Sequence, residues 1–122
     1  MIGVFNKGLG RVRRVLLVCR FAPADPAALA DRLTHALELL TAQPGCLGGE
    51  AGRAVDDPAH WVLTVRFTGV DAYRRALSPF PVREHVVPLL SEALADSPAT
   101  YETLLAAAGG AVERRASLRA GD

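Results

Sequence analysis

The stretch from His60 to Leu90, HWVLTVRFTGVDAYRRALSPFPVREHVVPLL, gathers the side chains of this sequence best suited to chemistry. His85 borders an apolar helical stripe, one step from Val82, Val86 and Leu89. Its imidazole is expected to face a sheet-and-helix cleft, where a neutral ring can take a proton near pH 7 or ligate iron. Tyr73 joins an apolar ring to a phenol that can donate to a substrate carbonyl or a developing oxyanion. Trp61 can wall a pocket by stacking, and Arg74, Arg75 and Arg83 can form a cationic rim that receives a carboxylate. Each has a plainer reading: a half-buried histidine on a backbone carbonyl, core aromatics, and the wet face of two helices.

The remaining candidates are quieter. Cys19 falls between Leu17 and Phe21 on the apolar side of a strand, where a thiol acts as a small hydrophobe without a lowered pKa. His35 lies on the polar face of a helix beside Arg32 and Glu38, and His60 adjoins a turn, so both are expected in solvent. Cys19 and Cys46 are the only cysteines, too few for a disulfide scaffold and without zinc-site spacing, which fits a reducing, cytoplasmic setting. With 14 basic and 13 acidic residues the formal net charge is +1, and no field of either sign points to nucleic acid. Charges or prolines interrupt every apolar run before it reaches the roughly 20 residues that span a bilayer, so no membrane role is expected.

These residues need a scaffold, and its elements are legible. Val15 to Phe21, VLLVCRF, reads as a buried strand. Asp25 can cap a helix with Pro26 at its first position, and Leu29, Leu33, Ala36, Leu37 and Leu40 recur at helical spacing up to Pro44-Gly45. Cys46 to Val55 reads as a glycine-diluted strand, bulged or closely approached by another backbone. Asp56-Asp57-Pro58 supplies a turn, and His60 to Thr68 completes a hairpin. A short helix over Asp71 to Ser78 follows, then one from about Val82 to Ala95 kinked at Pro88, then a strand over Thr100 to Leu105.

The order βαββαβ predicts an α+β, ferredoxin-like fold: one antiparallel four-stranded sheet with helices on one face. The domain spans 13–106, between an N-terminal arm over 1–12 and a flexible or short-helical tail over 107–122. At 122 residues and 50% hydrophobic content, one domain can build a real core. The sheet face without helices carries Leu16, Val18, Val62 and Thr64, too apolar to leave in water, which predicts a homodimer packed sheet to sheet. If the hairpin pairs Val55 with Trp61, Glu50 falls opposite Arg66 on that face, with Arg20 on the same side.

The RF ending of the first strand, the PGCLGG turn, the WVLTVRF strand, and the DAYRRAL and VREHVVPLL helices together resemble the antibiotic biosynthesis monooxygenase family of dimeric α+β barrel proteins. That resemblance covers about Arg13 to Ala106 and implies a homodimeric barrel. Its members include oxygenases that oxidise anthrone-like aromatic polyketides without metal or flavin, haem-degrading enzymes and quinol oxygenases. Phe67 and Tyr73 match an aromatic pair that lines the cleft of the polyketide oxygenases, while Leu63 stands where they carry an Asn donor. His85 matches by position the axial histidine of the haem-degrading branch, whose characteristic Asn and Trp fall here at Cys19 and Arg75. The resemblance thus implies a cofactor-independent monooxygenase of secondary metabolism using dioxygen and an aromatic substrate. His85 would be the base, Tyr73 the oxyanion donor, and Trp61, Phe67, Leu63, Cys19 and Arg75 the substrate contacts. The alternatives are a haem-binding protein with His85 as axial ligand, and a non-catalytic ligand-binding dimer.

Overall fold

The computed structural model describes residues 14–115. Strand β1 (Val15–Phe21) alternates strictly, burying Val15, Leu17, Cys19 and Phe21 and leaving Leu16, Val18 and Arg20 partly covered. Helix α1 (Pro26–Thr41) starts where expected: the Asp25 carboxylate accepts from the Ala28 N–H at 3.1 Å, and Pro26 fills the first turn. Its stripe of Leu29, Leu33, Ala36 and Leu40 is buried against the sheet.

The chain then turns through Gly45, whose φ of +83° suits a residue without Cβ; a Cβ there would sit 2.6 Å from that of Ala72. Strands β2 (Cys46–Arg53) and β3 (Trp61–Phe67) form the predicted hairpin, with a bulge between Cys46 and Gly48. The register differs from the expected one. Arg53, not Val55, pairs with Trp61, so Glu50 faces Thr64, Arg66 faces Gly48, and no Glu50–Arg66 ladder pair forms. The turn sequence occupies more of the connection than the alternation suggested, and Val55 stands fully exposed. Arg20 instead reaches Asp96, with an Nη2 to Ser97 Oγ bond of 2.8 Å.

Helix α2 (Val70–Ala76) lies within two residues of its expected span. The long second helix does not: α3 (Phe80–His85) and α4 (Val87–Leu90) replace it. Proline lacks an N–H and its ring crowds the carbonyl four residues back, so the chain breaks at Val86 and Pro88 falls in the tolerant first turn of α4. Beyond Leu90 the segment is held by the Leu94 N–H on the Arg20 carbonyl at 2.7 Å rather than by helix.

Strand β4 (Thr100–Glu102) completes an antiparallel sheet in the order β2-β3-β1-β4, the ferredoxin-like arrangement predicted. The expected strand through Leu105 ends early because β5 (Leu105–Ala108) pairs with β6 (Ala111–Arg114) as a separate hairpin. This corrects the expected loose or short-helical tail over 107–114, while 116–122 and the 1–12 arm lie outside the described residues. Gly109 and Gly110, with φ of +58° and +84°, make the two-residue turn that a helix through this stretch would forbid.

The core lies between one sheet face and the helices. Leu63, Val65 and Phe67 from β3 meet Leu33, Leu40, Ala76, Val82, Val86 and Leu89. The far face carries Leu16, Val18, Val62 and Thr64, all partly buried, with Tyr101 exposed beside them.

Candidate functional site

Phe67 and Tyr73 are brought together. Strand β3 turns into α2 within a few residues, so Tyr73 lies over the strand end, edge-on to the Phe67 ring with centroids 5.5 Å apart. The Phe67 ring is fully buried, while Tyr73 is partly buried at the sheet margin, where the Thr100 hydroxyl donates to its oxygen at 3.4 Å. The Tyr73 phenol proton is therefore free to serve an acceptor other than Thr100.

Leu63 and Cys19 lie in the closed core further along the same sheet face, beyond Val65 and Leu17, at 0% and 3% exposure. They are cross-strand partners, and as packed they are wall material rather than a surface a substrate touches. Burial pushes the Cys19 thiol above its ordinary pKa, so it stays protonated and unreactive, as its apolar neighbours predicted. Trp61 packs partly against the core, and its indole N–H is buried without an acceptor.

His85 is placed differently from expectation. Val82, Val86 and Leu89 carry the apolar stripe into the core, and His85, one helical position before Val86, lies off it with its ring about half exposed. Its Nε2 lies 3.4 Å from Glu84 Oε1, and its ring meets that of His35 edge-on at 4.9 Å. His35 is in solvent as expected, with Nδ1 3.5 Å from Glu38 Oε1. A haem needs apolar cover on both faces beside its axial ligand. His85 offers polar neighbours and water instead, and the residues around it do not fit that group. Arg74, Arg75 and Arg83 are exposed on α2 and α3, consistent with the wet face of two helices. Among the described residues, no three or more His, Cys, Asp or Glu side chains are grouped as a metal site.

The arrangement that residue-by-residue reading missed is at the hairpin end. His60 Nδ1 lies 2.5 Å from Asp57 Oδ2, and the other Asp57 oxygen accepts from the Ala59 N–H at 3.3 Å. His60 lines a cleft of about 250 Å³ with Arg20, Gly52, Arg53, Ala54, Trp61 and Val62. The available signal was the spacing of Asp57 and His60 across a Pro58 turn, which can fold a carboxylate back onto a ring. A second cleft, about 290 Å³, opens where β1 passes into α1, closed at one side by the two-pronged Arg32–Glu92 pair at 2.8 and 2.9 Å.

Comparison with known proteins matches this fold to a defined group. The sequence profile of antibiotic biosynthesis monooxygenases matches residues 14–79. No curated protein sequence matches. Among solved structures, protein SO0527 from Shewanella oneidensis is similar with a TM-score of 0.62 at 16% identity, over 76% of this chain and 93% of that one. SnoaB, a cofactor-independent oxygenase from Streptomyces nogalater, aligns with a TM-score of 0.58 at 23% identity, over 75% and 87%. Rv0793 from Mycobacterium tuberculosis gives 0.61 at 18%, over 79% and 98%. The profile covers more than half of the chain, Phe67 and Tyr73 included, so the chain belongs to the antibiotic biosynthesis monooxygenase family.

Proposed function

We propose that this protein is a homodimeric, cofactor-independent monooxygenase that oxidises a flat aromatic or polyketide-like metabolite with dioxygen, in the cytoplasm. The carrying observation is the Phe67–Tyr73 contact at the junction of β3 and α2, inside the segment matched by the family profile. SnoaB, of the same fold, is a cofactor-independent oxygenase, which supports the chemistry. The two free thiols and the lack, among the described residues, of a helix able to cross a membrane fit the location.

In this reading a proton leaves an acidic C–H or O–H of the substrate, and the electron-rich carbanion reduces dioxygen directly. One oxygen atom enters the substrate and the other departs as water. Tyr73 donates to the oxyanion that develops, and the buried Phe67 ring, edge-on to it, fixes the Tyr73 ring in place. His85, facing water beside Glu84, takes the proton and passes it to solvent. Arg75 contacts the substrate's outer edge, while Leu63 and Cys19 are buried apolar backing further along the sheet and Trp61 closes its hairpin end. The sheet face bearing Leu16, Val18, Val62 and Thr64 closes the dimer.

The test is oxygen uptake by chelator-treated, flavin-free protein with anthrone-type substrates under ¹⁸O₂. Incorporation of one labelled atom per turnover, lost in Tyr73→Phe, is expected. Turnover that requires added flavin or metal, or that is indifferent to Tyr73, overturns the reading.

A further inference from the structure

His35 and His85 are two of the chain's three histidines, and the fold brings them together from different elements. His35 stands on the solvent side of α1 and His85 ends α3, and their rings meet edge to face with centroids 4.9 Å apart. Both side chains are 48% exposed, so neither ring is locked by packing and water reaches both. The pair belongs to the helix layer, away from the sheet face given to the dimer.

Each ring is backed by a carboxylate, on a different nitrogen in the two cases. Glu38 Oε1 lies 3.5 Å from His35 Nδ1, and Glu84 Oε1 lies 3.4 Å from His85 Nε2. A carboxylate beside one ring nitrogen favours the tautomer with the proton there, which leaves the other nitrogen as a lone-pair donor: Nε2 on His35 and Nδ1 on His85. Metal-bound histidines are oriented and made more basic in this way, with the carboxylate outside the coordination shell. Two carboxylates beside two neutral imidazoles also favour a dication. Arg32, one turn before His35, does not oppose it, because its guanidinium is matched by Glu92 at 2.8 and 2.9 Å. Rings this close can present both lone pairs to one ion, at the roughly 2.0–2.1 Å of a metal–imidazole bond, once the exposed side chains turn.

We propose that His35 and His85 form a surface site for one divalent transition-metal ion of the zinc class. Nε2 of His35 and Nδ1 of His85 are the protein ligands, Glu38 and Glu84 are their outer-shell partners, and water fills the remaining positions. With two protein donors, fewer than a closed centre uses, the site stays open to solvent. Imidazole donors select zinc, nickel and copper over magnesium and calcium, which take oxygen ligands. The ion clamps α3 to α1. It is not a cofactor of the proposed oxygenase, since it takes up a His85 lone pair, and its binding stands whether or not the chain turns over a substrate.

Calorimetric titration of the chelator-stripped full chain with zinc chloride near neutral pH should show one ion per chain, and the melting temperature should rise with zinc. Magnesium chloride at the same concentration should give neither effect. His35→Gln and His85→Gln should each weaken zinc at least ten-fold, and the double variant no further, because the two imidazoles act as a pair. All three should fold, since both side chains stand half in water. Glu38→Gln and Glu84→Gln should each weaken zinc about ten-fold, the low end for loss of an outer-shell carboxylate. His60→Gln and Cys46→Ser should bind as wild type does. In imidazole ¹H–¹⁵N spectra, substoichiometric Cu²⁺ should broaden His35 and His85 together and spare His60. Absence of saturable zinc binding in wild type, full binding by either single variant of the pair, or loss on His60→Gln or Cys46→Ser overturns the proposal.

Discussion

Tyr73 and His85 look alike in the sequence, each a polar tip on an apolar helix face, but the structure separates them. Tyr73 stays against Phe67 and keeps its proton for an acceptor, so Tyr73→Phe is expected to lower kcat by about 10²-fold with little change in melting temperature, as for loss of one oxyanion donor. His85→Gln is expected to lower kcat and to leave stability nearly unchanged because the ring is half exposed. Cys19 gives a cleaner test. Its folded thiol titrates above the unfolded one, so the native state holds the proton more tightly, and this contribution is complete below the unfolded pKa and is lost as pH rises through the folded value. In native protein at pH 8, thiol-alkylating reagent should modify the half-covered Cys46 first and reach Cys19 only on unfolding; mass spectrometry of digested peptides reads the order.

At the scale of elements, local signals succeeded where one interaction dominates and failed where two compete. Helix α1 has a cap, a leading proline and a clean stripe, all agreeing; Asp25→Ala should cost about 1 kcal/mol in denaturant unfolding. The segment from Val82 onward carries an apolar stripe that favours one helix and a proline that forbids it, and the missing N–H of Pro88 wins, leaving two short helices. The turn at Gly45 joins α1, β2 and α2. Gly45→Ala should destabilise by more than the about 1–2 kcal/mol of left-handed backbone strain alone, since its methyl would collide with Ala72. The Glu92 carboxyl is held below its usual pKa by the hydrogen-bonded Arg32 guanidinium. The stability it contributes is present above the unfolded carboxylate pKa and is lost as pH falls through the folded value.

For the whole molecule, the deciding quantity is the second sheet face. Helices cover one side and bury Leu33, Leu63, Val65, Phe67 and Leu89, so Leu33→Ala should cost about 2–5 kcal/mol in cavity and transfer energy. The other side holds Leu16 and Val18 beside Val62 and Thr64 with no element over it among the described residues. Under the proposed dimer, Val18→Glu should halve the mass measured by light scattering while circular dichroism stays that of a folded chain; a dimer that persists would place the contact elsewhere.

The sequence by itself determined the βαββαβ order, the inward residues of β1 and β3, the start of α1 and the family, because alternation, capping and helical spacing act over a few residues and agree with one another. Only the tertiary structure decided the hairpin register, the early end of β4 and the β5–β6 hairpin, because pairing depends on where a turn closes and on which strand is free to accept it. It also decided the surroundings of the polar side chains. His85 faces water because it lies one helical position off the buried Val82, Val86 and Leu89, and His60 meets Asp57 because the turn at Pro58 folds back. The second contact does not follow from residue type or spacing alone, since it is set by the backbone direction through the turn.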